Sequence, residues 1–223
     1  MPRRLRLWVP DGIYHLTVRG NNREPLFFDD ADFQQYLLEV RQARDAEPYH
    51  LLAFALMPNH VHLVVQSQVE GSLSRMMQRT ATAYARYFNA RYGHIGHVYQ
   101  GRFYSNLVSR DSYFLEVTRY VHLNPVRAGL ARRPADYSWS SYRSYVGLEE
   151  NYAGWIEPKR IWEFFGKTEG DQIARYKQFV EQLVDQEMIF AQLVRRLQRN
   201  KLIPPRRWLT PKVSDTFPAS KSV

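Results

Sequence analysis

Apolar and polar positions recur in two regimes along the first half of the chain. Ile13-Tyr14-His15-Leu16-Thr17-Val18 is short and β-rich and predicts a strand. Phe33, Tyr36, Leu37 and Val40 then recur at helical spacing. Asp29 or Asp30 can cap that helix, which runs through Ala46 and closes at Pro48. His50 to Met57 is apolar on both faces, as in a central strand. Pro58-Asn59 supplies turn chemistry into a third strand that begins His60-Val61-His62-Leu63-Val64-Val65. Leu73, Met76, Met77, Tyr84, Tyr87 and Phe88 mark a second helix, from a Ser72 cap to about Tyr92, stopped by Gly93. Phe103 to Val108 reads as a fourth strand.

Strand, helix, strand, strand, helix, strand is the order of the split βαβ, ferredoxin-like arrangement. The expected class is α+β: an antiparallel sheet with both helices on one face and the other face open. A third helix starts near Ser109 or Asp111 and ends near Asn124, because the residue before Pro125 avoids helical geometry. Its stripe centres on Phe114, Thr118 and Val121, with Glu116, Tyr120 and Asn124 on the flank. Asp136 to Tyr142 begins a short capped helical segment. Gly147 to Gly154 loosens the chain, and Pro158 opens a helix that Gly166 ends. Ile173, Tyr176, Phe179, Val180, Leu183 and Val184 give a long helix from Asp171 to about Arg199. Pro204, Pro205, Pro211 and Pro218 mark a tail expected to be poorly ordered. The expected division is a main domain over 1–147, a helical extension over 148–203 and a Pro-rich tail over 204–223.

Composition narrows the partners. The chain has no cysteine, which excludes disulfides and thiolate metal sites. No apolar run approaches the ~20 residues of a membrane helix, and the basic start Met1 to Trp8 is followed by no signal-type apolar core. A soluble, cytoplasmic protein without a membrane partner is expected. The net charge of +9 favours a polyanion, most simply nucleic acid.

Candidate chemistry follows from the pleat. Successive strand side chains alternate, so His60 and His62 share a face while Val61, Leu63 and Val65 turn toward the helices. Two imidazoles one residue apart can converge on a cation; the plainer alternative is a hydrogen-bonded pair. Arg75, Arg79, Thr82 and Arg86 form a helix face without an acid, solvated by default or turned to phosphate. His15 could sit near the metal face or simply pack, the structural role being favoured, and His122 points away from the Tyr120 flank. A two-histidine phosphoesterase is disfavoured, since His15-Leu16-Thr17 has no matching hydroxyl in His62-Leu63-Val64. A histidine-triad hydrolase wants a third histidine where Val64 stands.

Met57-Pro58-Asn59-His60-Val61-His62-Leu63-Val64-Val65 matches the histidine–hydrophobic–histidine pattern of the HUH single-strand nucleases. Arg119-Tyr120-Val121-His122-Leu123-Asn124-Pro125-Val126-Arg127-Ala128-Gly129-Leu130 resembles the catalytic-tyrosine segment of the REP-associated tyrosine transposases. Tyr14 to Asn21, Gly101-Arg102-Phe103 and Tyr137 to Tyr142 resemble further landmarks of that family, in the same order, and the likeness spans about Pro2 to Gly147. The resemblance implies an HUH-type catalytic domain over 1–147 and a metal-dependent single-stranded DNA nicking and joining enzyme, with Tyr120 as nucleophile. It implies His60, His62 and Asn124 as ligands of Mg²⁺ or Mn²⁺, a covalent 5′-phosphotyrosine intermediate, and a hairpin-bearing single strand as substrate. Arg3, Arg4, Arg6, Arg19, Arg23, Arg75, Arg79, Arg102 and Arg127 are the candidate DNA contacts by charge and position. The expected state is a monomer or homodimer. The competing reading is a catalytically silent DNA or RNA hairpin-binding protein on the same fold.

Overall fold

The computed structural model describes residues 8–108, 111–149, 152, 154–189 and 192. The strands are β1 (Ile13–Arg19), β2 (Tyr49–Met57), β3 (His60–Ser67) and β4 (Tyr104–Val108). The helices are α1 (Asp30–Ala46), α2 (Ser72–Tyr92), α3 (Asp111–Arg127), α4 (Tyr142–Tyr145), α5 (Lys159–Trp162) and α6 (Glu169–Glu181). The four strands form one antiparallel sheet in the order β2-β3-β1-β4. This is the ferredoxin-like arrangement expected from the element order.

Local chemistry explains the boundaries. Asp29 caps α1 by accepting from the Asp32 backbone N–H at 3.3 Å. Gly93 ends α2 in the left-handed region, at φ 59°. The cap at the start of α2 differs from expectation: Gly71 holds that position at φ 76°. Ser72 instead turns inward, its hydroxyl 3.3 Å from that of Ser67. Pro125 does not end α3. The helix carries it and continues to Arg127, closing where Leu130 N–H donates to Pro125 O and Gly129 N–H to Val126 O. Gly129, at φ 67°, is the left-handed residue this double closure requires. Proline forfeits one helical donor, and this C-terminal motif offsets the loss.

The sheet buries both faces unevenly. Register places Tyr14, Leu16 and Val18 with Val65, Leu63 and Val61 on the face covered by α1 and α2. Leu51, Leu52, Phe54 and Leu56 of β2 have no exposure, and each such burial stabilises by about 1.5–3 kcal/mol. The second face is not open, as the sequence suggests, but partly roofed by α3, whose Tyr120 reaches the histidines of β1 and β3. The β2 edge is also covered: Leu56 N–H donates to Trp139 O, Ser141 N–H to Phe54 O, and Glu157 N–H to Leu51 O. This is what the aromatic segment around 137–142 does.

Residues after 147 share the core. Tyr152, Trp155, Ile161, Trp162, Tyr176 and Val180 pack in the same cluster as the sheet. The long helix expected from Asp171 to Arg199 is interrupted: α6 stops at Glu181, and a separate helical stretch spans 184–189. No glycine or proline marks the break, and the stretch beyond it meets α3 through the Glu187–Arg127 ion pair. The N-terminal arginines Arg3, Arg4 and Arg6, the basic run after Leu193 and the Pro-rich tail lie outside the described residues.

Candidate metal and nucleophile centre

The tight β2–β3 connection sets the first histidine. Met57 pairs with His60, so Pro58 and Asn59 form a two-residue turn. Neither has the positive φ that two-residue hairpins favour. Outside bonds hold the turn instead: Leu26 and Phe27 N–H donate to Pro58 O, and Gly20 N–H to Asn59 O. Gly20 is required here, since a Cβ would stand 2.3 Å from Glu24 O. Asn59 donates its Nδ2 to Arg23 O, which leaves its Oδ1 to accept from His60 Nδ1 at 2.7 Å. His60 therefore carries its proton on Nδ1 and turns a lone pair outward at Nε2.

His62 is oriented in a parallel way. Its Nδ1 is 2.9 Å from His15 Nε2, and the two rings stack with centroids 5.1 Å apart. His60 and His62 are neighbours at 4.9 Å between centroids. In each ring Nδ1 is engaged by the protein and Nε2 is the atom left for a ligand. Burial, followed by the charge of Arg19, lowers His60 to about 3. Burial and the neighbouring histidines hold His62 well below its ordinary value. Neutral imidazole is the form that binds a cation. Among the described residues no group of three His, Cys, Asp or Glu side chains could hold a metal. The two imidazoles and a carboxamide fit a divalent ion by donor chemistry.

Helix α3 brings the tyrosine. The Tyr120 ring is edge-on to His62 at 5.7 Å and to His15 at 6.0 Å. Asn124 follows one turn later, 7% exposed, with Nδ2 donating to Tyr120 O at 3.1 Å. Its Oδ1 is the atom it has to offer a cation. His122 faces the other way, its Nδ1 2.6 Å from the Tyr176 hydroxyl and its Nε2 2.8 Å from that of Ser141. It anchors α3 to α6 and to the β2 edge.

The candidate arginines divide into groups. Arg19 pairs with His60 in register, and burial, followed by the charge of Arg23, lowers its pKa. Arg127 lies over the Tyr120 ring, its Cζ 5.0 Å from the centroid. Arg23 belongs to the turn beside Asn59. Arg102 lines a groove of about 790 Å³ between α2 and residues 96–103, together with Arg86, His97 and no carboxylate. Arg75 and Arg79 are elsewhere: both meet the buried Glu47 at the end of α1, at 2.7 and 3.4 Å. Their helix face has no acid of its own, and another element provides one.

The sequence favours a structural role for His15, offers Arg127 only as a DNA contact and Asn59 only as a turn residue, and singles out nothing at Glu187. Shared parity with Thr17 and Arg19 was the one sequence signal for His15; the β1–β3 register supplied the rest.

Comparison with known proteins bears on this geometry. The model of the family described as "Transposase IS200 like" matches residues 9–124. A Haemophilus influenzae protein named "Putative REP-associated tyrosine transposase" is 23% identical over 155 residues, covering 65% of this chain and 87% of that protein. A solved REP-associated tyrosine transposase bound to a REP hairpin superposes with a TM-score of 0.58 at 18% identity, covering 67% of this chain and 88% of the other.

Proposed function

The chain belongs to the IS200-like transposase family, and from that premise we propose that it nicks and rejoins single-stranded DNA beside a hairpin, with Tyr120 as the nucleophile. The observation that carries this reading is the meeting of Tyr120 with His62 across 5.7 Å, from segments far apart in the chain. The hairpin is taken from the structural neighbour, which is bound to one.

His60 and His62, with Asn124, would hold Mg²⁺ or Mn²⁺, which supplies Lewis-acid polarisation of the scissile phosphate. The protein's own residues do the rest. His15 and Asn59 orient the two imidazoles. Tyr120 Oη forms a bond to phosphorus as the bond from phosphorus to the 3′ oxygen breaks. The phenol proton passes to solvent, and the departing 3′ oxygen takes one up. The DNA 5′ phosphate is then esterified to Tyr120, and a later 3′ hydroxyl can displace it by the reverse exchange. One phosphodiester replaces another, so joining needs no nucleotide cofactor. Arg19 and Arg102 would meet the strand, whose phosphates set its position.

The test is a denaturant-stable protein–DNA adduct formed from a single-stranded hairpin substrate with Mn²⁺. Tyr120→Phe is expected to abolish the adduct, and an adduct that survives this change sinks the assignment. His60→Ala is expected to abolish cleavage while hairpin binding persists; equal loss of both marks a structural histidine instead.

A further inference from the structure

The C-terminal stretch reaches the proposed nucleophile through one ion pair. Helix α3 runs past Pro125 to Arg127, so Tyr120, Asn124 and Arg127 follow one another at four and three residues along one face. Arg127 Nε donates to Glu187 Oε2 at 2.7 Å, and Nη2 donates to Oε1 of the same carboxylate. Glu187 comes from the helical stretch 184–189 and is 9% exposed. The Arg127 guanidinium lies against the Tyr120 ring at 5.0 Å. A two-point carboxylate contact fixes both the position and the plane of a guanidinium, which a lysine cannot reproduce.

We propose that Glu187 and Arg127 form a relay that positions Tyr120 for attack, making the C-terminal helical stretch part of the active centre. This rests on Tyr120 being the nucleophile. Arg127 is a positioning residue: it holds the phenol edge-on to His62, and Glu187 holds Arg127. Burial alone would lower the Arg127 pKa, but the Glu187 hydrogen bond and charge, with contributions from Tyr120, raise it, so the cation is secure at all working pH. Without Glu187 the guanidinium would swing toward solvent or toward DNA phosphates and release the ring.

The test uses the full-length chain with Arg127→Lys, Glu187→Gln and the exchanged pair Arg127→Glu with Glu187→Arg. The exchanged pair restores the ion pair but puts a carboxylate over Tyr120. Two readouts are taken. The first is adduct formation rate at saturating hairpin with Mn²⁺, alongside hairpin Kd. The second needs no activity: the ring-carbon NMR signal of Tyr120 in tyrosine-labelled protein, assigned by its disappearance in Tyr120→Phe. The expectation is a rate lower by roughly a hundredfold, a Kd within threefold of the wild type, and a displaced Tyr120 signal in all three variants. Recovery of both rate and signal in the exchanged pair would overturn the relay, because then only the ion pair matters. So would a loss confined to Kd, which makes Arg127 a phosphate contact. If wild-type adduct persists in Tyr120→Phe, the functional reading fails, and the NMR signal still decides whether the relay exists.

Discussion

Replacing His15 separates an orienting histidine from a packing one. His15 is 2% exposed, 2.9 Å from His62 Nδ1 and stacked on that ring. For His62 to offer Nε2 to a cation, its proton must stand on Nδ1, where His15 Nε2 at 2.9 Å is the nearer acceptor and Thr17 Oγ1 at 3.4 Å the farther one. Loss of such a supporting hydrogen bond to a metal-binding histidine costs about 10–100-fold in metal affinity, or about 1.4–2.7 kcal/mol. His15→Phe keeps an aromatic ring edge-on to Tyr120 but has no acceptor, whereas His15→Gln keeps an acceptor on a side chain that can still reach. Calorimetric titration with Mn²⁺ is the assay, with urea unfolding to confirm that each variant is folded. The expected result is affinity weakened by about 10–100-fold in His15→Phe and substantially recovered in His15→Gln. A folded His15→Phe protein that binds Mn²⁺ like the wild type would refute the reasoning and return His15 to packing alone.

Two further outcomes follow from burial and charge. Burial lowers His122 to about 3; the unfolded chain binds that proton near ~6.5. The stabilisation is therefore whole above ~6.5 and is lost as pH falls toward 3, at up to ~1.4 kcal/mol per pH unit; a urea midpoint unchanged from pH 7 to pH 4.5 would contradict it. Arg102→Ala should weaken single-strand binding and flatten its log–log salt dependence by about 0.7, whereas Arg75→Ala, tied to Glu47 at 2.7 Å, should leave the slope unchanged; equal effects would place both arginines on one DNA path.

The elements that periodicity predicted are those whose two faces differ in environment. β1, α1 and α2 announce themselves because each buries a regular stripe, β2 instead by a run apolar on both faces, and the observed bounds of all four match to within a residue. The misreadings arise where distant contact decides. Pro125 reads as a helix end because its missing donor is local information, while the closing bonds of Gly129 and Leu130 are not. The continuous period through Leu183 and Val184 conceals a break that serves Arg127 and Glu187. Parity alone put His60 and His62 on one face. That this face meets α3 is settled by a crossover that no short stretch encodes. The histidine beside His62 depends on strand register, which places Thr17 opposite His62 and sets His15 diagonally from it.

The site's charge pattern suits the role proposed for Tyr120. His60 and His62 are held neutral, and the Glu187 carboxylate, which reaches α3 at Arg127, is committed to that arginine through two donors. A phosphodiester therefore meets no uncompensated negative charge from these groups, while Arg19 stands on the same sheet face as His60. Carboxylate ligands would bind a divalent ion more tightly but would spend its field before the phosphate arrived. Neutral donors would leave that field for the substrate, at the cost of weaker metal binding, and the orientation given by His15 and Asn59 would then matter. The same frame serves the reverse exchange. In the proposed reaction a phosphotyrosine would have to stay where a 3′ hydroxyl can reach it, and α3 is pinned from behind by His122 between Tyr176 and Ser141. A helix fixed on its buried side and carrying its nucleophile on the other can pass through both exchanges without moving.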